Sequence, residues 1–213
     1  MFPWLRRFTY SSSQIDPYVL RRHLRPALLR EYQPSDFDTC IDLYRANEPG
    51  RFPPGILPEF EESLRAGHST YLILEHEGRA VGCGGIGIAH YQRSSWAHLC
   101  FGLIDPAHHR QGLGSVLLLG RLSLLPPGEW TIGLSTVPKS RRFFEKACFQ
   151  QFRQTIEGGM KRSDHAGHLH ESDRQLCKQF LKEAKVEMRM RDVVVANQEV
   201  SIDVAAGRQP VPV

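Results

Sequence analysis

The sequence predicts an α/β fold, a mixed β-sheet with helices on both faces. Three observations carry this. Apolar runs of strand length alternate with stretches of helical spacing in the order β, αα, βββ, α, β, α, β. A glycine-marked hairpin joins the first two of the three consecutive strands, which makes that pair antiparallel. The third of them stops at Pro106 and is followed by "HHRQGLGS" (108–115) and an apolar helical run, the layout of a strand-to-helix turn.

The elements follow in order along the chain. Residues 1–26 are basic and irregular ("RRFTY", "RRHLR") and read as an arm on the main body or a partly disordered leader. "PALLREYQ" is the first strand. "PSDFDTCIDLYRAN" is a helix capped by Ser35, with Phe37, Cys40, Ile41 and Tyr44 at helical spacing. "EPGRFPPGILP" holds too much proline for a helix or central strand and is a loop. "PEFEESLRAG" is a second short helix, with Pro58 in its first turn and Gly67 as its stop. "STYLILEHEGRAVGCGGIGIAHY" is two strands hinged at "EHEGR", where Gly78 can take a positive φ. "SSWAHLCFGLIDP" is the third strand. "SVLLLGRLSLL" is a helix ended by "PPG", "WTIGLST" a strand, "PKSRRFFEKA" a short helix and "CFQQFRQTI" a strand. In "ESDRQLCKQFLKEAKVEMRM", Ser172 and Gln175 have capping-box spacing, and Leu176, Phe180 and Ala184 recur at four-residue steps. That argues for a helix, with a strand near 173–181 as the competing reading. "VVVANQEVSIDV" reads as two short strands around a turn and "AAGRQPVPV" as a loose end. The resulting division is an N-terminal extension over 1–26, one domain over 27–182 and a C-terminal extension over 183–213.

Composition narrows the class. At 213 residues, 41% hydrophobic and 23% charged, the chain reads as one soluble globular domain plus extensions. A net charge of +4 is too mild to imply a nucleic-acid partner. No apolar run approaches the roughly 20 residues of a membrane span. Cys40, Cys83, Cys100, Cys148 and Cys177 form no CxxC pair and read as buried thiols. The opening "MFPWLRRFTY" lacks the apolar core of a secretory signal, so the cytoplasm is the expected compartment. "DHAGHLH" gathers His165, His168 and His170 but meets no zinc spacing rule, so a polar surface loop and no metal are expected.

The glycine junction is the chemically informative stretch. Gly112-Leu113-Gly114 at a helix start exposes unpaired backbone N–H groups, and together with the helix dipole these favour an anion, typically phosphate. Gly112 and Gly114 let a ligand approach the backbone, and Arg110 and Gln111 could add charge and a donor. A dinucleotide fingerprint fails because Leu117 stands where a third glycine or alanine is needed. A Walker-type loop fails because Gly114-Ser115 lacks the lysine.

"LIDPAHHRQGLGSVLL", followed by "SRRFFEKACFQQF", resembles the Gcn5-related N-acetyltransferases (GNAT). The resemblance spans roughly residues 27–156. It implies a central, mostly antiparallel sheet with a splayed parallel pair, "WAHLCFGLI" and "WTIGLST". The pantetheine of acetyl-CoA would run in the splay, pairing with strand backbone near Leu103 and Ile104. Its pyrophosphate would sit on His109, Arg110, Gln111, Gly112, Leu113, Gly114 and Ser115. Three positions depart from the family's pattern. His109 stands where an arginine or glutamine opens the motif, Cys148 stands for a glycine, and Phe144, a cofactor-side residue, replaces the tyrosine that often acts as general acid.

The implied activity is an acyl-CoA-dependent N-acyltransferase, with a neutral amine attacking the thioester directly in a ternary complex. Such a reaction needs a proton acceptor and an oxyanion donor. His98 is the candidate base, because it lies on the strand beside the thioester and histidine titrates near neutrality. Alternation puts Trp96, His98 and Cys100 on one face; Cys100 reads as a structural thiol. His90 is a second, weaker candidate. Acceptor recognition falls to the proline-rich loop and the second helix, where Arg51 could meet a carboxylate and Glu48, Glu59, Glu61 and Glu62 a cationic amine. The acceptor is a small molecule or a protein, and the family's homodimers make a second copy a further partner. The alternative reading is an acetyl-CoA-binding regulatory or interaction module without catalysis. A third treats the charged ends as an RNA-docking device.

Overall fold

A computed structural model describes residues 13–48, 50–91, 94–190 and 197–198. Among these the helices are α1 (Pro17–Arg21), α2 (Phe37–Asn47), α3 (Leu57–Ala66), α4 (Leu113–Ser123), α5 (Pro138–Lys146) and α6 (Glu171–Glu183). The strands are β1 (Ala27–Glu31), β2 (Thr70–His76), β3 (Arg79–Tyr91), β4 (Ser94–Ile104), β5 (Trp130–Thr136), β6 (Gln150–Glu157), β7 (Met160–Leu169), β8 (Val186–Arg189) and β9 (Asn197–Gln198). They form one mixed sheet in the order β6-β7-β5-β4-β3-β2-β1-β8, with β9 beside the far end of β3. The pairs β1–β8, β4–β5 and β3–β9 are parallel and the others antiparallel.

Strand alternation divides the core in two. Leu72 and Leu74 of β2 face α4 and α6, whereas Tyr71 and Ile73 face α2 and α3. Helix α4 is mostly apolar and buried on nearly every side, as befits a helix enclosed by the sheet, α1 and α6. On the other face, the fully buried Phe60 packs 5.5 Å from Tyr44 and 4.7 Å from Phe101, ring centre to ring centre. The β2–β3 hairpin turns on Glu77 (φ 52°) and Gly78 (φ 74°), both left-handed, as a two-residue turn between His76 and Arg79 requires.

Four expectations are corrected. Met160–Leu169 is an interior strand, not a surface loop, because its polar side chains find partners on β5 and β6. The last helix stops at Glu183, and "VEMR" returns as β8 to pair with β1, so the sheet extends past the expected boundary at 182. From residue 13 on, the segment expected as an extension is part of the domain: Ile15 is fully buried, Leu20 nearly so, and Gln14 bridges His168. Helix α2 is preceded by a 3-10 turn, Pro34–Asp36, so Asp36 and not Ser35 stands at the N-cap position, and its side chain closes the 3-10 turn instead of capping α2. Its carboxylate accepts from the Gln33 amide at 2.8 Å and from both Arg30 terminal nitrogens. Both expected short strands near the C-terminus lie outside the described residues; between them, Asn197–Gln198, expected as the turn, pair with β3 as β9.

Cys148 ends α5 with φ 66°, a left-handed conformation that a side chain disfavours by about 1–2 kcal/mol. Cys148→Gly is therefore expected to stabilise the fold by about 0.5–1 kcal/mol after the entropic cost of glycine. Urea unfolding monitored by fluorescence reads this, and a destabilised variant would contradict the assignment of strain.

Candidate active site

The site begins where two strands part. β4 and β5 pair from Trp96–Thr131 to Leu99–Leu134, and β4 then runs on to Ile104 without β5. An interior strand whose neighbour departs is left with unpaired backbone groups, which a ligand can satisfy. The Ile104 carbonyl points away from β3, since it accepts from the Asn47 amide (3.0 Å) and the His109 ring (2.8 Å). By alternation the Gly102 amide and carbonyl face the same side. Leu103 faces β3 instead, with its side chain buried in the α2–α3 core. Of the two expected backbone partners, then, the structure turns Leu103 toward β3 and leaves Ile104 with its carbonyl occupied. Gly102, which the sequence did not single out, has the backbone groups that face the split.

A β-bulge shapes this wall. Pairing shifts between Cys83–Leu103 and Gly85–Cys100, and Phe101 takes φ 41°. Under the bulge lies Arg121 of α4, only 3% exposed, its terminal nitrogen 2.9 Å from where a Gly102 Cβ would sit. Its hydrogen bonds go to carbonyls, Leu117 and Gly85, each at 3.4 Å. Burial pushes its pKa down to about 10. One charged residue inside the apolar run "SVLLLGRLSLL" was the signal available for it. A buried cation held by two long carbonyl contacts is expected to be dispensable for folding. Arg121→Met should leave stability unchanged or raise it by about 1–4 kcal/mol in thermal or urea melts, and a large loss would contradict this.

Across the opening stands the start of α4. The loop turns on Arg110 (φ 62°) and Gly112 (φ 86°), both left-handed. The Ser115 and Val116 amides bond the Gly112 carbonyl at 3.0 and 3.2 Å, which commits Ser115 to the turn. Among the described residues, the Gly112, Leu113 and Gly114 amides have no partner and form the positive end of the helix dipole. Arg110 is exposed, while the Gln111 side chain folds back to the Ala107 carbonyl at 3.2 Å. His109 is turned inward. One ring nitrogen meets the Ile104 carbonyl and the other accepts from Arg51 at 3.1 Å, so this ring braces the loop and does not face an anion. Phe143 of α5 closes the far side, 3.8 Å from where a Gly114 side chain would begin. Phe144 packs between Phe143 and Phe149. The aromatic nearest Gly114 is thus Phe143, one position before Phe144.

His98 pairs with Gly133, one step before the ladder ends, on the face it shares with Trp96 and Cys100. Its ring is solvent-exposed, yet the protein around it lowers its pKa. Burial is the largest cause, Asp164 opposes it, and Arg162 and Arg121 add to it. These fit together if the ring sits in a cleft, reachable by water but walled by protein. Asp164 of β7 is held by Ser135 and Arg153, each at 2.5 Å. The His90 side chain lies outside the described residues.

A groove forms where the α2–α3 loop meets the β6–β7 turn. Glu48, Gly50, Phe52, Pro54, Gly158, Gly159 and Met160 line an open groove of about 480 Å³. Glu48 is the acid there. Glu59 and Glu62 stand exposed on α3, outside the groove, and Glu61 pairs with Arg65. Arg51 is directed at His109, not at the groove.

Solved structures share this architecture. A GNAT-family protein of Desulfovibrio desulfuricans superposes with a TM-score of 0.53 at 17% identity, covering 66% of this chain and 97% of its own. Arabidopsis thaliana NAA60, solved with a bisubstrate analogue, gives 0.53 at 13% identity over 66% and 97%. A GNAT-family acetyltransferase of Streptococcus pneumoniae gives 0.50 at 19% over 67% and 99%. A search of curated protein sequences finds no match. The fold and its split sheet define an acetyltransferase-type α/β protein. The family model for the acetyltransferase (GNAT) family matches residues 37–148, and the chain belongs to that family. Family and fold together support an N-acetyltransferase. Among the described residues, no helix is long and apolar enough to cross a membrane.

Proposed function

We propose that the protein transfers an acetyl group from acetyl-CoA to a primary amine flanked by an apolar group. The observation that carries this is the split of β4 from β5 at Leu99–Leu134, together with the unpartnered amides at the start of α4, whose loop His109 ties to the end of β4. The amides of Gly112, Leu113 and Gly114, with Arg110, would hold the pyrophosphate. Gly102, and the Ile104 amide, would pair with the pantetheine arm and bring the thioester to the bulge. There, β4 amides facing the split would stabilise the oxyanion.

The acceptor would enter through the groove between the α2–α3 loop and the β6–β7 turn. Glu48 would attract the ammonium form, and Phe52, Pro54 and Met160 would receive its apolar neighbour. His98 would take the ammonium proton, directly or through water, so that the neutral amine attacks. The lowered pKa keeps its ring unprotonated at neutral pH and able to accept that proton. The thiol of CoA would then leave with little acid assistance, since its pKa is near the ordinary thiol value of about 8.5. That accounts for a phenylalanine at 144.

Free-thiol release from acetyl-CoA, with mass analysis of the amine product, tests the reading across small amines and peptides with apolar first residues. Amine-dependent release matched by acetylated product is expected. Tight acetyl-CoA binding with no product from either class would favour the non-catalytic module.

A further inference from the structure

Glu129, His168 and His170 converge at the end of β5 opposite the split. Glu129 immediately precedes β5, His168 lies in β7, and His170 caps the start of α6 in extended conformation. The Trp130–Leu169 pair places Glu129 across from His170. His168 and His170, two apart in extended chain, point to the same side. His168 Nε2 is 2.9 Å and His170 Nδ1 is 2.5 Å from the same Glu129 oxygen, Oε2. One ligand atom from each residue lies within 4.8 Å of the others. We propose that these three side chains bind one divalent transition-metal ion of the zinc type, with water completing its coordination.

The donor set argues for that class of ion. Two imidazoles and a carboxylate suit Zn²⁺, Co²⁺ or Ni²⁺, whereas Ca²⁺ and Mg²⁺ take oxygen ligands. Zinc bonds of about 2.0–2.2 Å put neighbouring tetrahedral ligands roughly 3.3–3.6 Å apart. The present spacing reaches this with small side-chain rotations. The backbone beneath is fixed from several directions. His168 exchanges main-chain hydrogen bonds with Ser13 and Ile15, at 2.9 and 2.8 Å, and pairs with Thr131. The other Glu129 oxygen accepts from the Glu171 amide at 3.2 Å, which orients the carboxylate as an outer-shell partner should. The ion would clip the N-terminal arm, β5, β7 and α6 together, away from the cofactor cleft. "DHAGHLH" alone could not reveal it, because the carboxylate comes from 41 residues before His170.

The test uses the untagged full-length chain stripped with EDTA, titrated with Zn²⁺ by calorimetry and with Co²⁺ by visible absorption. One ion per chain is expected, with a Co²⁺ spectrum of weak d–d bands. Glu129→Gln and His170→Gln should each weaken Zn²⁺ binding by more than about 100-fold, beyond what loss of an outer-shell partner typically costs. His76→Gln, which removes an imidazole elsewhere, should leave it unchanged. Zn²⁺ should also raise the melting temperature of the wild type and not of His170→Gln. Absence of saturable binding overturns the proposal. So does equal binding by a His168→Gln/His170→Gln double variant. Intense sulfur-to-cobalt charge transfer overturns it as well, without relying on any variant, because it would assign the ion to the cysteines.

Discussion

Gly114→Glu is expected to weaken acetyl-CoA binding by at least about 100-fold, or roughly 2.7 kcal/mol, while the protein stays folded. The new carboxylate would stand among the amides of the α4 start, where the account seats the pyrophosphate, and like charges in one desolvated site cost several kcal/mol. The fold should tolerate it. Gly114 lies in the helix without a positive φ, and its added Cβ meets Phe143 at an ordinary 3.8 Å. An acid in the first turn also suits the helix dipole. Gly112 is the wrong place for this experiment. A Cβ there would lie 1.5 Å from the His23 carbonyl, and φ is 86°, so any replacement would displace the N-terminal segment. Calorimetry for binding and a thermal melt for folding separate the two effects. Unchanged affinity in a folded Gly114→Glu variant would move the phosphate site elsewhere.

His98→Gln is expected to lower kcat by about 10²–10⁴-fold, the range of a positioned general base, with acetyl-CoA affinity kept. The pH profile sharpens this. The folded pKa of His98 is depressed, so activity should rise with pH through a value below the ordinary histidine 6.5 and then level off. In His98→Gln that acid limb should vanish. The same shift has a stability consequence. A group harder to protonate in the folded state contributes stability above its unfolded pKa, and this is lost as pH falls through the folded one. Removing His98 should therefore soften acid unfolding below about pH 6.5. A variant that lost activity but kept the limb would make His98 a structural residue.

What could be read in the sequence was what local chemistry encodes. The hairpin at Gly78, the stop at Gly67 and the turn at Gly112 were legible because each glycine marks a backbone conformation that its neighbours cannot set. Helix α4 was legible from its apolar run. β7 was not, because "MKRSDHAGHL" carries buried polar residues whose partners are distant. Asp164 is satisfied by Ser135 and Arg153, and the His165 ring meets the Ser163 carbonyl. No alternation survives in such a strand. The site divided the same way. The glycine loop proposed to hold the anion follows from residues close in sequence, but His109 is turned inward, where Arg51 from another loop meets it. Gly102 and not Leu103 faces the split because strand orientation, set by β3, decides which backbone groups do so. Acceptor residues suffered most. Glu59 and Glu62 could not be told from a solvated helix face, and the groove depends on a turn whose strand was not foreseen.

The central claim is that the split between β4 and β5 and the start of α4 together hold acetyl-CoA. Calorimetric titration of the untagged full-length chain with acetyl-CoA measures this most directly. The account predicts saturable binding of one acetyl-CoA per chain. No detectable heat and no competition by free CoA would contradict it, leaving the family's fold without its cosubstrate.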